Sequence, residues 1–296
     1  MRIVANTNHE RGPLISRPLD PFSLMPPRHD SVTVSDIRFH VVEWGERTRQ
    51  PLVLLHGGSA HCRWWDFFAV PLARQYRPIA VDLRGHGDSG WAGDSSYQIE
   101  AYARDVVGLF RALNLSNVIL VGHSLGGLVA GASAPLLEAC LSGLVLIDTA
   151  CRLTEHGARY MNALSRFAHP VYPSLEEAVR RFRLLPTANG ANPEVLAHVA
   201  RHAVTQLHDG TWTLKFDRRA LARIEPCDVL PSLGSLRCPI LIIRGGNSSY
   251  FPAKTLSALG RSIPKARTLE IPGAHHHVML DAPGPLADAV RAFADE

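Results

Sequence analysis

Short, mainly apolar runs, each followed by a helical pattern, are the feature that most restricts the fold of this chain. They occupy residues 51–55 (PLVLL), 79–83 (IAVDL), 117–121 (NVILV) and 143–148 (GLVLID), and the alternation resumes at 239–243 (PILII) and 266–271 (ARTLEI). Strands without regular polar alternation are buried on both faces, which is typical of a parallel sheet covered by helices on each side. The sequence therefore predicts an α/β fold.

Two stretches of the chain interrupt this alternation. Residues 1–30 contain five of the 21 prolines and show no helical or strand period, so we predict an N-terminal arm that lies on the surface or is partly disordered. Residues 151–221 contain two predicted helices, which begin at Ser174 and Asn192. We therefore predict a helical cap at 151–221, inserted into a core made of residues 31–150 and 222–296.

The composition is that of an ordinary globular protein and argues against several classes of function. Of the 296 residues, 46% are hydrophobic and 20% are charged, and the net charge of +4 comes from arginines spread along the sequence. A nucleic-acid interface would favour a dense basic run with aromatic residues between the charges, and the sequence contains no such run. A membrane helix needs roughly 18 consecutive apolar residues, and no apolar run approaches that length. The first residues lack the apolar core of a secretory signal, and five irregularly spaced cysteines fit a reducing compartment. We expect a cytoplasmic protein without a nucleic-acid or membrane partner.

The most informative segment follows the run at 117–121. Gly122, Ser124 and Gly126 form a G-x-S-x-G pattern between a predicted strand and a helix rich in small residues. In that setting the serine lies on a strained turn that projects its Oγ, and small flanking residues let the strand and helix approach each other. The start of a helix also favours a developing negative charge. We predict that Ser124 is a nucleophile; the alternative is a glycine-rich turn with an ordinary capping serine.

A second glycine-rich loop, His56-Gly57-Gly58, follows the run at 51–55. Glycines at this place let backbone N–H groups face a cavity without obstruction by side chains. We predict an oxyanion hole formed by the N–H of Gly58 and completed by the N–H of Leu125, the residue after the nucleophile. The alternative is a turn that simply needs glycine.

Three consecutive histidines, His275, His276 and His277, follow the last predicted strand. Loops at the carboxyl ends of parallel strands converge, so this loop should meet the one that carries Ser124 and supply a general base. Adjacent residues in an extended loop point apart, and no carboxylate or cysteine stands at ligand spacing. We therefore predict no metal here.

The order of these segments resembles that of the α/β-hydrolase family. The similar motifs are HGGS at 56–59, DLRGHGDS at 82–89, GHSLGG at 122–127 and PGAHHHVMLDAP at 272–283, and the resemblance covers residues 31–296. It implies an eight-stranded, mostly parallel sheet flanked by helices, with a cap inserted after the sixth strand. It also implies that His276 is the base, because His275 stands where the family often has glycine.

The chain departs from this family where the catalytic acid is expected. The family usually places an aspartate in the loop after the seventh strand, which here reads RGGNSSYFPAK and puts Ser248 or Ser249 at that position. No carboxylate occurs between Gly245 and Glu270. Three explanations are open. The acid comes from another part of the chain, the site is a dyad of Ser124 and His276 without an acid, or the protein is a degenerate member that has lost a complete catalytic site.

We predict that Asp148 is the third member of the site. It ends the run at 143–148, so it should emerge at the same edge of the sheet as Ser124 and His276. Some α/β-hydrolases resemble this arrangement by taking their acid from the end of the sixth strand. A dyad oriented by water or by Asn247 is the alternative, and Asp82 is a further candidate.

Together these residues predict a serine hydrolase that cleaves a carboxylic ester of a small, largely apolar substrate through an acyl-enzyme, without a cofactor. Trp64, Trp65 and Trp91 lie near the predicted loops and are expected to contact the substrate, although each could equally pack in the core. Two other functions remain open. One is a ligand-binding or signalling homologue with little turnover, and the other is C–C hydrolysis, lyase, acyl-transfer or cofactor-free oxygenase chemistry on the same fold.

Overall fold

A computed structural model of the protein describes residues 25–93 and 97–296. The strands of its central sheet are β1 Arg28–Val34, β2 Ile37–Glu43, β3 Pro51–Leu55, β4 Arg77–Val81, β5 Val118–His123, β6 Leu141–Ile147, β7 Ile240–Gly245 and β8 Ala266–Ile271. They lie in the order β1-β2-β4-β3-β5-β6-β7-β8. β2 pairs antiparallel with β1 and with β4, and all other pairs are parallel. The predicted eight-stranded, mostly parallel sheet is therefore confirmed.

Helices cover both faces of this sheet, which explains why its strands are apolar throughout. Successive residues of a strand point to opposite faces, and both faces are buried: Leu120 of β5 lies in one hydrophobic cluster and Val121 in the other. The helices are α1 Asp66–Leu72, α2 Ile99–Ala112, α3 Leu125–Leu137, α4 Glu155–Ser165, α5 Leu175–Arg181, α6 Pro193–His202, α7 Arg219–Ala222, α8 Leu230–Ser235, α9 Ala253–Ser262, α10 Val278–Asp281 and α11 Pro283–Ala294.

The two clusters divide the helices between the faces. Helices α2, α3 and α9 contribute buried side chains to the cluster of Leu120, whereas α1 and α11 contribute to that of Val121. A short 3-10 helix at Cys62–Trp65 adds three buried side chains to the core, whereas the one at Glu138–Cys140 adds none. Within residues 25–93 and 97–296, no helix is long and apolar enough to cross a membrane.

The chain leaves the sheet between β6 and β7 and forms α4 to α8 there. The predicted starts of two of these helices are confirmed: Ser174 accepts a hydrogen bond from the N–H of Glu177, and Asn192 accepts one from Glu194. Helix α4 was not predicted. Two antiparallel ribbons also form, Val204–Gln206 with Trp212–Leu214 and Arg152–Leu153 with Cys227–Asp228. The second ribbon places the two ends of this segment side by side.

The first strand begins earlier than the sequence predicts. β1 starts at Arg28, inside the predicted arm, and Arg28 pairs in register with Glu43 of β2. The side chain of Arg28 also forms an ion pair with Glu43 at 3.1 Å. The start of β1 is polar and exposed, so it carries no apolar alternation from which its boundary could be predicted. Residues 1–24 of the predicted arm lie outside the described residues.

Candidate active site

Ser124 lies on a tight turn between β5 and α3. Its backbone has φ 53° and ψ −115°, a left-handed conformation that non-glycine residues rarely adopt and that is typical of functional turns. The flanking glycines allow the close approach this turn requires. A Cβ on Gly122 would lie 2.2 Å from the carbonyl oxygen of Gly126, and a Cβ on Gly126 would lie 2.3 Å from that of Leu55. The turn thus presents the Ser124 side chain at the carboxyl edge of the sheet.

His276 joins Ser124 to Asp148. Its Nε2 lies 3.1 Å from the Oγ of Ser124, and its Nδ1 lies 2.6 Å from Oδ2 of Asp148. His276 and Asp148 are buried, whereas Ser124 is partly exposed. Because the carboxylate accepts the proton on Nδ1, the lone pair of Nε2 faces the serine hydroxyl. The structure therefore brings together the three residues that the sequence predicted for the site.

Asp148 is held in place by its backbone and by three hydrogen bonds. It directly follows β6 with φ 47°, a conformation that aspartate tolerates better than most residues. Besides His276, its carboxylate accepts hydrogen bonds from the N–H of Gly245 at 2.9 Å and from the Oγ of Ser248 at 2.6 Å. A carboxylate with this many donors is fixed in one orientation, which in turn fixes the imidazole of His276.

The role of Ser248 was missed in the sequence. This residue stands at the position where the family usually places its acid, and its hydroxyl donates to Asp148 while accepting a hydrogen bond from the N–H of Phe251 at 3.2 Å. The burial of Ser248 and its contact with Asp148 arise from the fold, so no local signal in the sequence revealed this role. Asn247, the alternative orienting residue, is exposed and donates to the carbonyl of Gly273.

Gly58 and Leu125 lie next to each other beside Ser124. The nearest atoms to a Cβ built on Gly58 are Cε of Met161 at 3.8 Å and Cδ2 of Leu125 at 3.9 Å. Leu125 is the first residue of α3, where a backbone N–H has no partner within the helix. These positions allow the backbone N–H groups of Gly58 and Leu125 to point into the same space.

His56 orients the peptide that carries the N–H of Gly58. Its Nε2 accepts a hydrogen bond from the N–H of Leu83 at 3.0 Å, so its Nδ1 carries the proton and donates to the carbonyl of Gly57 at 2.7 Å. In a trans peptide the C=O and the following N–H point in opposite directions. The hydrogen bond to the carbonyl of Gly57 therefore makes the N–H of Gly58 point away from His56. Burial lowers the pKa of His56, which keeps it neutral in this role.

The three predicted tryptophans occupy different environments. Trp64 is buried and its ring packs edge-on against His277, 5.1 Å between centroids, next to the base. Trp65 is fully buried and packs against Phe68 in the core, so its ring offers no surface to a substrate. Trp91 is 50% exposed on the loop after β4. Of the three, Trp64 is the one that lies against the loop carrying His276.

Two side chains of the segment after β6 lie close to this site. Met161 of α4 approaches Gly58 as described, and Tyr160, its neighbour, interacts with Tyr250 of the loop after β7. The Tyr250 ring lies 5.0 Å from that of His276. Partial burial, together with Tyr160, raises the pKa of Tyr250. The Tyr250 ring therefore lies against the ring of His276, with Tyr160 of α4 as its further neighbour.

Asp82 belongs to a separate network. Its carboxylate accepts hydrogen bonds from the Nδ1 of His40 at 2.7 Å and from the N–H of Cys62 at 2.6 Å. These bonds tie the loop after β4 to β2 and to the 3-10 helix, so Asp82, the further candidate for the acid, is engaged away from His276. His40, Cys62 and Asp82 are also one of two groups in the described residues with potential metal ligands within 4.8 Å of one another. The other group is His123, His276 and His277.

Comparison with known proteins identifies the family. Residues 52–289 match the sequence model of the alpha/beta hydrolase family. Over 84% of its length the chain is 30% identical to an sn-1-specific diacylglycerol lipase of Mus musculus, of which it covers 82%. It is 27% identical over 86% of its length to an esterase of Mycobacterium tuberculosis, of which it covers 85%.

Solved structures show the same fold. The structure of an E-2-(acetamidomethylene)succinate hydrolase matches 91% of this chain and 100% of its own, with a TM-score of 0.80 and 24% sequence identity. The relatives are thus named as esterases, lipases and other hydrolases. The chain is a member of the alpha/beta hydrolase family.

Proposed function

We propose that this protein is a serine hydrolase that cleaves a carboxylic ester through an acyl-enzyme. The observation that carries the proposal is the chain of contacts from Ser124 Oγ to His276 Nε2 at 3.1 Å and from His276 Nδ1 to Asp148 at 2.6 Å. A nucleophile, a base and an orienting carboxylate in this geometry are the parts that acyl transfer requires.

The proposed reaction has two halves. Ser124 attacks the ester carbonyl while His276 takes its proton, and the imidazolium that forms is stabilised by Asp148. The N–H groups of Gly58 and Leu125 stabilise the oxyanion, and His276 then protonates the leaving alcohol. Water attacks the acyl-enzyme with His276 again as the base, which releases the acid and restores Ser124.

The substrate is proposed to be small and largely apolar. Residues 151–221 act as a cap over the site, since Met161 reaches Gly58 and Tyr160 meets Tyr250 beside the base. Trp64 packs against His277, the residue next to His276. An esterase and a lipase among the relatives support ester bonds as the class attacked.

The rival function, a binding protein with little turnover, was favoured by the lack of an acid after β7. Asp148 now stands at hydrogen-bond distance from His276, so that argument no longer favours it. A direct test uses p-nitrophenyl acetate and butyrate as substrates, before and after treatment with a serine-directed phosphonate. We expect hydrolysis that the phosphonate abolishes. No hydrolysis of either ester, or hydrolysis that survives a saturating phosphonate, would contradict the proposal.

A further inference from the structure

Three buried imidazoles meet next to the nucleophile. One nitrogen of each of His123, His276 and His277 lies within 4.8 Å of one nitrogen of each of the others. Their ring centroids are 4.8 to 5.9 Å apart. The sequence argued against a metal at residues 275–277 because adjacent side chains in an extended loop point apart, but here the rings of His276 and His277 lie 5.0 Å apart and His123 comes from another loop. The proposed reaction uses only His276, so the other two rings have no role in it.

The hydrogen bonds of these rings determine where their protons lie. The Nε2 of His123 faces the carbonyl oxygen of His276 at 2.9 Å, and the Nε2 of His277 faces that of Pro186 at 3.2 Å. A carbonyl oxygen only accepts, so both Nε2 atoms carry protons and both Nδ1 atoms carry lone pairs. For His276 the proton is on Nδ1, bonded to Asp148, and the lone pair is on Nε2.

Two of these lone pairs are buried without a partner. Among the described residues, the Nδ1 atoms of His123 and His277 have no hydrogen-bond partner, and the residues are only 1% and 2% exposed. Buried polar atoms are normally paired. An imidazole binds a metal through such a lone pair, so both Nδ1 atoms are available as ligand atoms.

Glycine at residue 57 keeps a side chain away from one of these nitrogens. A Cβ on residue 57 would lie 2.8 Å from Nδ1 of His123, closer than real contacts allow. Histidine ligands of zinc commonly donate their other N–H to a carbonyl or carboxylate oxygen, which fixes the tautomer. All three rings meet that condition, with Asp148 as the carboxylate partner of His276.

We propose that His123, His276 and His277 form a site for Zn²⁺ that reversibly inhibits the enzyme. Three neutral imidazoles with an open fourth position suit Zn²⁺, and imidazole is one of its preferred ligands. Zn²⁺ bound to Nε2 of His276 occupies the lone pair that must accept the proton of Ser124. The proton then stays on the hydroxyl and no acyl-enzyme forms. This inference rests on the proposed function for its effect on turnover, but not for the binding itself.

Inhibition by ZnCl₂ is measured in three proteins, each relative to its own turnover of p-nitrophenyl butyrate in EDTA. The parent and His275→Ala are expected to be inhibited alike and to recover when EDTA is added. His275 is the matched control because it is adjacent in sequence but outside the cluster, with its backbone N–H bonded to Asp281. His277→Ala removes one ligand and is expected to raise the half-inhibitory concentration at least about tenfold.

Binding is measured separately by titration calorimetry with ZnCl₂ on Ser124→Ala, which needs no activity. This protein should bind one equivalent of Zn²⁺ that Ser124→Ala/His277→Ala does not bind. A second control, Ser124→Ala/His198→Ala, removes an imidazole that instead contacts Asp66 at 2.6 Å and should keep that equivalent.

The two proposals fail in different ways. Equal inhibition of the parent and His277→Ala, no inhibition at all, or the same Zn²⁺ stoichiometry with and without His277 would each overturn the metal site. None of these results bears on Ser124 as the nucleophile. Conversely, an enzyme that turns over esters without Ser124 would overturn the proposed function while the calorimetric result still stood.

Discussion

The hydroxyl of Ser248 donates a hydrogen bond of 2.6 Å to the carboxylate of Asp148. The two residues follow neighbouring strands, β7 and β6, so either could present a side chain to the loop that carries His276. In this chain the carboxylate follows β6 and a hydroxyl occupies the place after β7 where the family usually has an acid. The hydroxyl of Ser248 thus supports the acid instead of replacing it.

Removing the charge of Asp148 tests its assignment as the orienting acid. Asp148→Asn is expected to lower kcat by about two to four powers of ten with little change in KM, because the imidazole loses the carboxylate that fixes its tautomer and stabilises its charged form. Steady-state kinetics with p-nitrophenyl butyrate measure both constants. A loss below about fivefold, together with a far larger loss in Asn247→Ala, would show that the orienting residue is Asn247.

The contact between Ser248 and Asp148 suggests that the acid can be moved. Asp148→Ala/Ser248→Asp places a carboxylate next to the position that Asp148 vacates, so its kcat should exceed that of Asp148→Ala by at least about tenfold. The matched control is Asp148→Ala/Asn247→Asp, in which the new carboxylate starts from an exposed position bonded to Gly273 and should rescue nothing. Equal activity of both double variants would refute this geometric argument.

Adjacent histidines should respond differently to substitution. His276→Ala should reduce kcat by about three powers of ten or more, because it removes the base. His275→Ala should change kcat by less than about fivefold, because its side chain lies 3.4 Å from Asp281 and away from Ser124. If His275→Ala proves the more damaging variant, the base has been assigned one residue out of register.

Stability should fall as the pH is lowered. Burial lowers the pKa of His86 and of His277 from the ordinary value of 6.5, which applies in the unfolded chain, to about 3. Between these two pH values each residue takes up a proton only when the chain unfolds. The unfolded state then binds more protons, and each residue should cost about 2 kcal/mol of unfolding free energy between pH 7 and pH 5. Urea denaturation across this range measures the loss. Stability that is constant or higher at pH 5 would contradict the burial of neutral histidines.

The strands were predictable because both of their faces are buried, which leaves a continuous apolar run in the sequence. The position of Ser124 was predictable for a related reason, since only glycine fits at residues 122 and 126 against the backbone of the turn. The contact of Asp148 with His276 follows from parallel strand order, which brings the ends of β5, β6 and β8 to one edge of the sheet.

Other features depend on long-range packing and left no local signal. The depth of Trp65 in the core could not be distinguished from a pocket position, because an aromatic residue near a loop fits both. The partnership of Ser248 with Asp148 joins residues 100 positions apart. Similarly, the meeting of His123 with His277 requires the loops after β5 and β8 to be placed in three dimensions.

The most direct test of the account is the Ser124→Ala variant, studied together with peptide mapping of the phosphonate-labelled parent. The account predicts a single adduct on the peptide that contains Ser124. It also predicts a variant with less than about a hundredth of the parent turnover and an almost unchanged melting temperature, because the lost hydroxyl opens little cavity. An adduct on another residue, or a folded Ser124→Ala protein that keeps more than about a hundredth of the turnover, would contradict it.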